Sequence, residues 1–169
     1  MAPIRIGFIG LSTQGWASAT LVGPLFDPLL SSAYTLTALC TSTEVSAVTA
    51  AAKYTELAGH TVKAYYGDEG LRAIANDPEV DLVAVSVKVP SHYHAVMPSI
   101  EAGKDIFIEW PVGKNYEETV KIAQAAKEKG VRVLVGVQSV QNSAVRKASA
   151  VVRISIPSAQ IRLVGQRAR

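Results

Sequence analysis

From Asp81 to Val87 the chain reads Asp-Leu-Val-Ala-Val-Ser-Val, and Pro90 closes the run. A strand with one face in water alternates apolar and polar residues, whereas a strand covered on both faces stays apolar throughout. This segment therefore calls for a sheet with helices on both sides. The rest of the chain supplies the alternation such a sheet needs. Ile4–Ile9, Tyr34–Cys40, Val62–Tyr66, Asp105–Glu109 and Val131–Val137 read as five further strands. Helices are expected from about Gln14, over Glu44–Leu57, over Asp68–Ala75, from Ser91 as cap to Ala102, and from Asn115 to Lys129. The first is interrupted near Gly23-Pro24 and Asp27-Pro28. Asn115 with Glu118 three residues later has the form of a capping box, and Gly130 is placed to end that helix. A last helix is expected over Asn142–Val152. Strand–helix alternation of this kind predicts an α/β fold: a doubly wound, mainly parallel six-stranded sheet with right-handed crossovers.

The 169 residues suffice for one domain with a full core and are too few for two ordinary ones. The expected organisation is a nucleotide-binding-type domain over 1–152 and a basic tail over 153–169, the latter an extra strand or a dimer contact. The tail stands out by charge. Residues 1–145 hold eleven basic and fourteen acidic side chains, while residues 146–169 hold six basic and no acidic ones. A basic end can serve nucleic acid or an acidic partner, but no aromatic residue follows Tyr116 to stack on bases, so a solvated end is the expectation. No apolar run approaches the ~20 residues of a membrane helix. The start has no secretory pattern, and the single Cys40 suggests a reducing compartment, so the expected location is cytoplasmic, with the nucleus as an alternative. A lone cysteine and scattered histidines offer no metal site.

Gly10-Leu11-Ser12-Thr13-Gln14-Gly15 joins the first strand to the first helical stretch, where the dinucleotide fingerprint G-x-G-x-x-G of a Rossmann fold sits. Its second glycine, which lets backbone amides approach a pyrophosphate at a helix N-terminus, is here Ser12. A serine hydroxyl can donate to phosphate, although its Cβ narrows the approach. The second strand ends in Cys40-Thr41-Ser42-Thr43, with no carboxylate for an adenosine ribose before Glu44. NAD loses a contact there, and NADP finds no adjacent arginine. Both cofactors stay open.

Several linked motifs resemble the Gfo/Idh/MocA oxidoreductase family over roughly residues 4–150. They are Pro90 and His94 after the fourth strand, Ala102-Gly103-Lys104, Glu109-Trp110-Pro111, and Gly130-Val131 through Val135-Gly136. The family's E-K-P lysine sits by the nicotinamide and assists proton transfer; this chain has Trp110 there. An indole N–H is a donor only and cannot relay a proton. Gly7-Phe8-Ile9-Gly10-Leu11-Ser12-Thr13 with Trp16-Ala17, Val85–Pro90 with His92-Tyr93, and Glu109-Trp110 are similar to the branch of the family that contains the yeast galactose-pathway repressor, an oxidoreductase-like regulator that acts on a protein partner. The family's second domain, which supplies most substrate contacts, has no counterpart in these residues. The resemblance therefore implies NAD(P) binding, a regulatory or otherwise non-dehydrogenase role, and a homodimer formed through the surface that domain covers elsewhere.

The expected cofactor contacts are Gly10, Ser12, Thr13, Gly15, Trp16, Thr41, Pro90, His94, Glu109 and Trp110. The alternative is a diverted enzyme performing isomerisation, elimination or cyclisation on a small molecule, with Glu109, His94 and Lys88 as acid–base groups. Each has a plainer reading: Glu109 as a carboxylate accepting backbone hydrogen bonds, His94 as a packed helix-start residue, Lys88 as a surface cation, Trp16 as a packing residue.

Overall fold

The computed structural model describes residues 2–137 together with Ser143, Ala144, Arg146 and Lys147. The chain divides into two compact units, Met1–Val135 and Gly136–Arg169. In the second, Ser143, Ala144, Arg146 and Lys147 are helical. The remainder of the helix expected over Asn142–Val152, and the tail 153–169, lie outside the described residues.

The strands are β1 (Ile4–Ile9), β2 (Tyr34–Thr41), β3 (Lys63–Tyr66), β4 (Leu82–Val85), β5 (Asp105–Glu109) and β6 (Val133–Gly136). They form one sheet in the order β3-β2-β1-β4-β5-β6. The pairs β1–β2, β1–β4, β2–β3 and β4–β5 are parallel. The chain reverses direction across the sheet between β3 and β4, so β1 and β4 flank the switch point. The helices are α1 (Pro28–Ser31), α2 (Glu44–Ala58), α3 (Gly67–Asn76), α4 (His92–Glu101) and α5 (Tyr116–Lys129).

Alternation within the strands feeds two cores, one on each face. Ile9, Val83, Val85, Ile106 and Ile108 pack with Ile74, Val96, Ile100 and Ile122. Ile6, Phe8, Leu36, Leu39 and Ala84 pack on the other face with Ala47, Ala50 and Tyr54. The register shifts between Ile6 and Gly7, where β2 carries Thr37 as an extra residue. Its hydroxyl donates to the Glu79 carbonyl at 2.9 Å, tying the bulge to the loop before β4. Gly7 has a packing reason as well: a Cβ there would lie 2.9 Å from Ile74 and 3.0 Å from Val80.

Several local expectations need correction. The stretch after Gln14 is not a regular helix but a π-helical turn over Ala17–Leu21, a 3-10 turn over Gly23–Phe26, and the single turn α1. Pro24 and Pro28 remove the amide donors that a continuous helix would need. Helix α4 starts at His92, so His94 lies inside its first turn. Ser91 occupies the cap position without a side-chain cap bond. At α5 the Asn115 side chain accepts from the Glu118 amide at 2.9 Å, but Glu118 reaches back to the Lys114 amide rather than to the cap residue. Strands β3, β4 and β6 are shorter than the runs expected for them.

Candidate functional site

Ligands of open parallel sheets bind outside the carboxyl ends of the strands, at the switch point. Here that edge carries Gly10 after β1, Thr41 at the end of β2, Ser86 to Lys88 after β4, and Glu109-Trp110 at β5.

Gly10 lies at φ +90°, and a Cβ there would meet the Ser86 carbonyl oxygen at 2.1 Å, so β1 and the exit of β4 approach as closely as backbone allows. Gly15 lies at φ +93°, and a Cβ there would have nothing within 4 Å, which leaves the end of the turn open to an incoming group. Between them the Ser12 hydroxyl donates to the Gln14 carbonyl at 2.5 Å, so it holds the turn from within. Helix α2 braces the turn from below: Tyr54 Oη donates to the Ser12 carbonyl at 2.9 Å, and Lys53 Nζ donates to the Thr13 carbonyl at 3.0 Å. With two positive-φ glycines, open space at Gly15 and carbonyls turned onto α2, the turn fits a dinucleotide phosphate.

The other side of the crevice is built around Glu109. Its Oε1 accepts from Trp16 Nε1 at 2.7 Å, and its Oε2 accepts from the Ser86 hydroxyl at 2.5 Å. Side chains on the exit loops of β1 and β4 thus hold the carboxylate. Trp16 is 57% exposed and Trp110 67%, so neither indole is a core packing residue. Trp110 precedes Pro111 through a cis peptide bond.

His94 is exposed and its Nε2 lies 2.8 Å from Asp68 Oδ1 at the start of α3. The Asp68 carboxyl is held below its usual range, first by the hydrogen bond and then by the charge of His94. Lys88 and Pro90 are exposed on the stretch after β4. Thr41 is buried and donates to the Thr43 carbonyl at 3.0 Å, while Thr43 accepts from the Ser46 amide and caps α2. The structure therefore groups Glu109 with Trp16 and Ser86, and His94 with Asp68.

Residues outside the expected set also shape this edge. His92 is 1% exposed, with Nδ1 2.9 Å from the Pro111 carbonyl and Nε2 3.0 Å from that of Val87. It joins the exits of β4 and β5. Ser86 carried a signal, as the lone hydroxyl in an apolar run. Lys53 and Tyr54 carried none, because their partners lie about forty positions upstream. Lys104 of the Ala-Gly-Lys turn donates to the carbonyls of Asp77 and Val80 at 2.8 and 2.6 Å, a structural anchor.

A cavity of about 660 Å³ opens at the opposite, amino edge, lined by Arg5, His60, Asp81, Asp105 and Arg132 among others. Its charges are already paired, Arg5 with Asp81 and Arg132 with Asp105, and no strand directs a carboxyl end toward it. The carboxyl edge is the candidate site. Among the described residues no group of three potential ligands could hold a metal, and no helix is long and apolar enough to cross a membrane.

Known proteins are similar to this chain in sequence and fold. The chain is 36% identical over 135 residues to the dehydrogenase aclE of Aspergillus oryzae, covering 79% of this chain and 35% of that protein. It is 31% identical over 144 residues to the galactose/lactose metabolism regulatory protein GAL80 of Saccharomyces cerevisiae, covering 81% and 31%. A crystal structure of a super-repressor mutant of Gal80p from the same yeast superposes with a TM-score of 0.76 at 27% identity, over 90% of this chain and 39% of that one. The chain thus spans about a third of the length of the curated relatives it matches. The oxidoreductase family with an NAD-binding Rossmann fold matches over residues 4–137, which hold the sheet, glycine turn and Glu109-Trp110 edge described above, and the chain belongs to that Gfo/Idh/MocA family.

Proposed function

We propose that this chain binds a nicotinamide dinucleotide, NAD or NADP, across its carboxyl edge and serves regulation through a protein partner rather than dehydrogenation. The observation that carries the reading is Trp110, exposed beside Glu109 at the end of β5. Oxidising an alcohol requires a group that takes its proton, and an indole N–H neither gains nor loses one near neutral pH. A relative that regulates galactose and lactose metabolism supports the same reading. Another relative is a dehydrogenase, so the argument against redox turnover rests on position 110 and not on the fold.

In this reading Gly10, Ser12, Thr13 and Gly15 face the pyrophosphate and Thr41 the adenosine ribose. Trp16, Pro90, His94, Glu109 and Trp110 surround the nicotinamide half. When bound, the dinucleotide supplies a ring that can exist charged or neutral. The test is a titration with NADH and NADPH, following quenching of Trp16 and Trp110. Saturable micromolar binding is expected; no binding up to millimolar overturns the reading.

A second reading is acid–base chemistry on a small molecule, favoured by the 2.5 Å hydrogen bond from Ser86 to Glu109. It takes the lead if dinucleotides fail to bind, with Glu109, His94 and Lys88 as the groups to replace. We also propose a homodimer, supported by the exposed Leu134 on edge strand β6. A monomeric mass by light scattering at high micromolar concentration overturns it.

A further inference from the structure

Both ring nitrogens of the buried His92 face carbonyl oxygens, Nδ1 that of Pro111 at 2.9 Å and Nε2 that of Val87 at 3.0 Å. A carbonyl only accepts, and a neutral imidazole has a single donor nitrogen. Both contacts are therefore hydrogen bonds only while each nitrogen carries a proton. With one proton, a nitrogen lone pair is set against an oxygen lone pair in a buried place. The charged ring has a cost of its own, because among the described residues no carboxylate bonds to it. The ionisable side chains at this end of the surrounding elements are Asp68 and Glu69 on α3, Lys88 after β4, Tyr93 and His94 on α4, Glu109 on β5, and Lys114, Glu117 and Glu118 at the start of α5. Asp68 is taken by His94, Glu109 by Trp16 and Ser86, and Glu118 by Lys114, while Glu69 and Glu117 are exposed.

Each protonation state thus carries one cost, and a single proton separates them. We infer that His92 is a proton-operated clasp: the doubly protonated ring joins the exits of β4 and β5, and loss of one proton releases one of the two carbonyls. His60 shows why burial matters here. Its nitrogens also face two carbonyls, Ala58 at 3.1 Å and Leu36 at 2.9 Å, but the residue is exposed and water can replace a lost contact. At His92 a released carbonyl has to move to find water. Glu109 and Trp110 immediately precede Pro111, and Lys88 immediately follows Val87. The shape of this edge therefore follows pH, whatever the edge binds.

The experiment is nuclear magnetic resonance of the full chain labelled with nitrogen-15, following the histidine rings from about pH 5 to about pH 8. His92→Gln, which keeps an amide donor and does not titrate, identifies the His92 signals by their loss. At the acid end both nitrogens of His92 are expected to be protonated. As pH rises one proton leaves, and the backbone amide of Lys88 or Val112, which shares its peptide group with the released carbonyl, is expected to shift with the same midpoint. In His92→Gln that shift should be absent. A ring with one proton at the acid end, a ring unchanged across the range, or a titration that moves neither amide overturns the inference. So does an amide shift that persists in His92→Gln. Should that variant not fold, His60→Gln and His94→Gln assign the His92 signals by elimination, since the chain has three histidines, and the same two amides decide.

Discussion

The buried imidazole of His92 lies 2.9 Å from the carbonyl oxygen of Pro111, nineteen positions away, and thereby ties the start of α4 to the loop that carries Trp110. Its other nitrogen meets the Val87 carbonyl at 3.0 Å. Replacing it with alanine removes the ring's contacts with both carbonyls and opens a void. His92→Ala is expected to cost about 3 kcal/mol in urea unfolding. A loss within about 0.5 kcal/mol would show that water takes over both contacts.

The two positive-φ glycines of the turn should respond differently to the same change. At Gly10 an added Cβ meets backbone at 2.1 Å, and nothing soft can yield. Gly10→Ala should therefore destabilise by more than about 3 kcal/mol or prevent folding. At Gly15 no atom lies within 4 Å, so Gly15→Ala bears only the cost of the left-handed backbone, about 1–2 kcal/mol. Thermal unfolding of the two variants checks the order, and the reverse order would contradict the geometry.

Acid should weaken the fold through Asp81. Arg5 donates to it through both Nε and Nη2, and this pairing first of all lowers the Asp81 carboxyl to about 2. A carboxyl depressed on folding contributes stability above its unfolded pKa of about 4, and that contribution disappears as pH falls toward 2. The pair is some 40% exposed, so the effect is modest and screened by salt. Asp81→Asn should flatten the dependence of the urea midpoint on pH between about 4 and 2. An unchanged slope in that variant would assign acid sensitivity to other carboxyls.

Cys40 should be inert in the native chain. It is 1% exposed, and burial pushes its thiol up to about 12. Only the thiolate reacts with iodoacetamide, so alkylation at about pH 8 is expected to follow global unfolding. Fast labelling without denaturant would indicate local opening of β2.

How much of this was legible depended on the range of the interactions involved. Strand Asp105–Glu109 was readable to the residue, because apolar chain between Gly103-Lys104 and Trp110-Pro111 leaves little room for another boundary. Helix α5 was readable from Asn115 and Gly130, whose effects act within four residues. The segment after Gln14 departs from the interrupted helix expected there, because its two prolines act on top of the packing of Ala17 and Val22 into the core. The sequence does not separate His92 from His94, since a histidine at a helix start looks the same whether its ring points inward or out.

The sequence by itself determined the α/β alternation, the glycine turn at the first strand's end and the edge residues Glu109 and Trp110. All of these follow from local backbone preference and the two-residue and 3.6-residue periods of apolar side chains. Only the tertiary structure decided that Glu109 accepts from Trp16 across 93 positions, that Ser86 completes the pair, and that His92 rather than His94 is the buried ring. Those contacts exist because the parallel register brings the carboxyl ends of β1, β4 and β5 to one edge. A register between distant strands is set by the whole packed sheet and by no segment alone.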